Sequence, residues 1–65
     1  AASATHDEEE NDRLTEARAY VGMDFLLSAR RGEAIEHLRW VTTNGNKEFD
    51  EYHLALAEMK RLGAL

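Results

Sequence analysis

Sixty-five residues with 13 acidic and 8 basic side chains, a formal net charge of -5 and neither cysteine nor proline allow one small domain. A chain of this size buries a modest fraction of its surface, and without cysteine it has no disulfide staple and no thiolate metal site. The acidic balance argues against a nucleic-acid partner, whose phosphates call for clustered Lys and Arg, and no segment approaches the roughly 18 apolar residues of a membrane span.

The chain opens on Ala1 rather than Met, which points to a processed or excised start, and it contains no signal-peptide h-region. Residues 1–10 hold the acidic run Asp7 to Glu10 and no large apolar side chain. Such a segment cannot bury enough surface to offset its ordering entropy. An acidic disordered tail is therefore expected over 1–10, with the disorder reaching to about residue 8.

The first helix is expected over about 11–30. Leu14, Ala17, Val21 and Phe25 recur at spacings of three and four, which marks one helical face. Tyr20, Met23 and Leu27 make a second stripe on another face. Arg30 and Arg31 suit a helix C-terminus, and Gly32 offers a residue tolerant of positive φ for the turn. A second helix is expected over about 33–43, burying Ala34, Ile35, Leu38 and Val41 and ending at Asn44-Gly45. That pair also suits a β-hairpin, but the flanking periodicity is helical. A third helix over about 47–62 has Asn46 as its N-cap, acidic residues first, Lys60 and Arg61 last, and Gly63 as its stop. Phe49, Tyr52, Leu56 and Met59 form its apolar stripe. The expected fold is all-α: an antiparallel hairpin of helices one and two, with a third helix packed on the first.

Several residues carry a likeness to a known family. Val21-Gly22, then Phe25, then Ala34, Leu38 and Val41, with the turn RRGEAIEHL, resemble one tetratricopeptide repeat over about residues 16–46. The segment NGNKEFDEYHLALAEMKRL is similar to the helix that caps some arrays of this family. The resemblance implies that Gly22 and Ala34 sit where the two helices cross. Ala19, Met23 and Leu26 or Leu27 would face a groove or a neighbouring repeat, unless the third helix simply covers that face, which is the favoured reading. It further implies a protein or peptide partner, a parent repeat array, or association with a second copy. Ala19 and Met23 lack the donors needed to clamp a peptide carboxylate, so that binding mode is not expected.

No constellation points to catalysis. Ser28 has no base nearby in sequence, and three helices of this length leave little room for a pocket of a few hundred Å³. His6, His37 and His53 lack HxxxH or HExxH spacing. Glu33 and His37, four apart, read as a surface pair, and the His6 to Glu10 cluster lacks the alternation of a calcium loop. No cofactor or metal is expected. Trp40 falls on the wheel opposite Ala34, Leu38 and Val41. It is either an interface residue or packed on the stems of Glu36 and Arg39 or on the N-terminal segment. The expected partner-binding residues are Ala19, Met23, Leu27 and Trp40. The expected function is a non-catalytic interaction module or scaffold fragment, the alternative being a cap of a repeat array or a self-associating unit.

Overall fold

A computed structural model describes residues 6–65 of the chain, in three α-helices: α1 over His6–Leu27, α2 over Arg31–Asn44 and α3 over Asp50–Arg61. There is no strand among the described residues. The molecule is elongated, 42 × 18 × 15 Å, because α1 alone runs for 22 residues.

Residues 6–10 of the expected acidic tail are helical, while residues 1–5 lie outside the described residues. The first turn of α1 carries Asp7, Glu8 and Glu9. The helix dipole favours negative charge there, and no proline or glycine stops the helix from extending outward.

The core face of α1 is not either of the stripes of large apolar residues. It is a line of small side chains, with Thr15, Ala19 and Gly22 buried and Leu26 packed against the core. This lets α2 approach closely. A Cβ added to Gly22 would lie 2.8 Å from Cγ and Cδ2 of Leu38 and 3.4 Å from the Ala34 carbonyl. Ala34, Leu38 and Val41 are fully buried on the facing side of α2. The expected crossing of Gly22 with Ala34 is therefore present, with Leu38 the larger part of the contact.

α1 and α2 run antiparallel through the short turn Ser28–Arg30. The turn closes by a bond from the Arg30 N–H to the Phe25 carbonyl (2.8 Å), with Ala29 at φ 58°. The left-handed residue is thus Ala29, whereas Gly32 lies in the first turn of α2. α3 ends in the same way. The Ala64 N–H reaches the Met59 carbonyl (2.9 Å), and Gly63 takes φ 70°. Both ends satisfy orphan carbonyls by the Schellman arrangement.

α3 packs on α1, as expected, and more extensively on α2. Ala55 and Met59 enter the core beside Leu38 and Val41, and Ile35, Tyr52 and Leu62 pack around them. Arg31 donates to the Leu62 carbonyl and Arg39 to that of Ala64 (3.3 Å), pinning the end of α3 to α2.

The α2–α3 connection is tied to the start of α1 by polar groups. The buried Thr15 hydroxyl accepts the Asn46 N–H (3.0 Å) and donates to the Asn11 carbonyl (2.8 Å). Asn46 Nδ2 donates to Asp12 Oδ1 (2.9 Å), and Asn11 Nδ2 to the Asn44 carbonyl (2.8 Å). Asn46 does not cap α3. Its Oδ1 accepts the Glu48 N–H (2.9 Å), an Asx-type turn that delays the helix to Asp50, with Phe49 at the N-cap position.

Candidate interaction surface

Once the small residues of α1 face inward, its larger ones are left outside. Leu14, Ala17, Tyr20, Val21 and Leu27 are all exposed, Tyr20 at 60% and Leu27 at 85%. On a helix of 100° per residue, positions 13, 17, 20 and 24 form one line, because spacings of four, three and four return to the same side. That line reads Arg13, Ala17, Tyr20, Asp24, and all four residues are exposed. Leu14 and Val21 border it on one side and Leu27 on the other.

The charges on this line are unsatisfied among the described residues. Neither the Arg13 nor the Asp24 side chain has a hydrogen-bond or ion-pair partner among the described residues. They cannot reach each other, since eleven residues of helix separate their backbones by about 16 Å.

The four residues expected to meet a partner differ in their exposure. Ala19 is 1% exposed and sits in the core. The resemblance pointed it at a groove, but Ala19 lies in one cluster with Leu38 and Val41 of α2 and Ala55 and Met59 of α3. Met23 is half-buried, and Leu26, its alternative neighbour, packs against the core. Leu27 is open to solvent in the last turn of α1.

Trp40 is half-buried and packs against the core cluster. Arg18 of α1 places its guanidinium 5.3 Å from the centroid of the indole, and the same side chain donates to Nδ1 of His37 (3.4 Å). The His37 ring stacks on Phe25 at 5.5 Å and 20°, and Arg30 lies 5.1 Å from the centre of Phe25. Arg30, Phe25, His37, Arg18 and Trp40 thus form a continuous stack along the α1–α2 seam. Each cation–π contact is worth about 0.5–1 kcal/mol at a site this exposed. Glu33, expected to pair with His37, is bound to Arg30 instead (2.7 Å).

Among the described residues there is no pocket, no group of three or more His, Asp or Glu placed to hold a metal ion, and no helix long and apolar enough to cross a membrane. Compared with protein-family models, curated proteins and solved structures, the chain matches none of them.

The exposed line on α1 had a signal in the sequence that apolar counting passed over. Gly22 at a helix crossing fixes which face of α1 is buried. Val21 is one residue, about 100°, away from it, and Ala17 and Tyr20 lie further round.

Proposed function

We propose that the chain is a non-catalytic protein–protein interaction module, and that its working surface is the outer face of α1. The observation that carries this reading is the assignment of side chains within α1. Its small residues are spent on the core, and Leu14, Tyr20, Val21 and Leu27 face solvent in one arc. Single exposed apolar residues are ordinary, but an aligned group marks a contact surface. A long helix with such an arc is suited to a helical or extended protein partner. The tetratricopeptide-like pattern of Gly22, Ala34 and Leu38 agrees with a role in binding proteins, although the face involved is not the one that pattern implies.

A photo-crosslinking residue placed at Val21, compared with one at Lys60 on α3, tests the reading in cells of the source organism. Discrete protein adducts are expected from position 21, whether to another protein or to a second copy, and not from position 60. No protein adduct from position 21, or the same adducts from both positions, would contradict it.

A further inference from the structure

We infer that the partner seated on this face is a second copy of the chain, with the two α1 helices antiparallel about a two-fold axis. The inference rests on the interaction-module reading and names its occupant.

An isologous two-fold contact requires a surface complementary to itself. The line Arg13, Ala17, Tyr20, Asp24 has this property. The midpoint between residues 13 and 24 is also the midpoint between 17 and 20. One antiparallel register therefore satisfies both pairs at once. Arg13 of each copy lies opposite Asp24 of the other, and Tyr20 of each lies over Ala17 of the other. The ion pairs that cannot form within one chain form twice between two, and each phenol ring fills the space left by a methyl group. Leu14 and Val21 line one border of the contact and Leu27 the other, all exposed in the single chain.

A parallel arrangement sets Arg13 against Arg13 and Asp24 against Asp24, so the charges select the antiparallel one. A single helix face offers less than the 1,200–2,000 Å² of a standard stable interface. The dimer is accordingly weak and reversible.

Sedimentation equilibrium on the full chain tests this through charge reversal. Arg13→Asp and Asp24→Arg each replace two attractive pairs by two repulsive ones and should each weaken dimerisation about tenfold. Combining them in one chain restores opposite charges in the antiparallel register alone, and self-association should return. Both positions are exposed, so helical circular dichroism of each variant at low concentration should match the parent, and Lys60→Glu should leave dimerisation unchanged. A monomer at millimolar concentration, or dimerisation insensitive to the single reversals, overturns the inference. So does a double variant that stays monomeric. An adduct from position 21 to a different protein would leave the interaction reading standing while the dimer failed.

Discussion

Two residues in equivalent positions show how much a single side chain decides. Ala29 and Gly63 each close a helix end in the left-handed region, at φ 58° and 70°. Glycine enters that region without strain, whereas an L-residue with a Cβ is penalised by about 1–2 kcal/mol. Ala29→Gly should therefore stabilise the fold. The gain is reduced by the greater freedom glycine gives the unfolded chain, about 0.4–1 kcal/mol, leaving a net of about 0.5–1 kcal/mol. Urea denaturation with an unchanged m-value would measure it, and a loss of stability would contradict the account of the turn. Gly22 is the opposite case. Alanine there gains about 1 kcal/mol of helix propensity, but its Cβ would lie 2.8 Å from the fully buried Leu38 side chain. Overpacking costs about 1–3 kcal/mol, so Gly22→Ala should lower the melting temperature.

The three elements were legible in the sequence, and their faces and ends less so. The apolar periodicities separate at the two turns, and the dipole and capping residues of α3 agree with its observed end at Arg61. The buried face of α1 was hidden because Thr15, Ala19 and Gly22 contribute little hydropathy, so the larger side chains dominate the pattern. The start of α1 was hidden because composition describes what a segment can bury. It does not show whether a neighbouring helix will extend into it. The Asn46 turn was hidden because its stability comes from Thr15 and Asp12, more than thirty residues away. This polar joint predicts a specific weakness. Thr15→Val keeps the shape but removes the acceptor of the Asn46 N–H at a fully buried position. An unsatisfied buried donor costs about 1–3 kcal/mol, whereas Thr15→Ser retains the acceptor and loses one methyl group. Hydrogen exchange of the Asn46 amide should accelerate in Thr15→Val far more than in Thr15→Ser. Equal exchange in the two would show that this bond does not hold the connection.

At the scale of the molecule, the buried apolar residues among those described are Ala19, Ala34, Leu38, Val41, Ala55 and Met59. Three of the six are alanines, so the core supplies little apolar area, and a chain of this size without a staple has small stability to spare. Any association of the folded form raises that stability by mass action. The outer face of α1 has the apolar arc and the self-complementary charges to provide it. Met23 and Trp40, two of the residues expected from the sequence to meet a partner, are half-buried, with Trp40 packed against the core. The most direct measurement is a dilution series of amide chemical shifts on the isotope-labelled chain, from millimolar to micromolar concentration. The shifts should move together along one binding curve and map to Arg13, Leu14, Ala17, Tyr20, Val21 and Asp24, with α3 unaffected. Shifts that do not change with concentration, or that change on α3 and around Trp40, would contradict it.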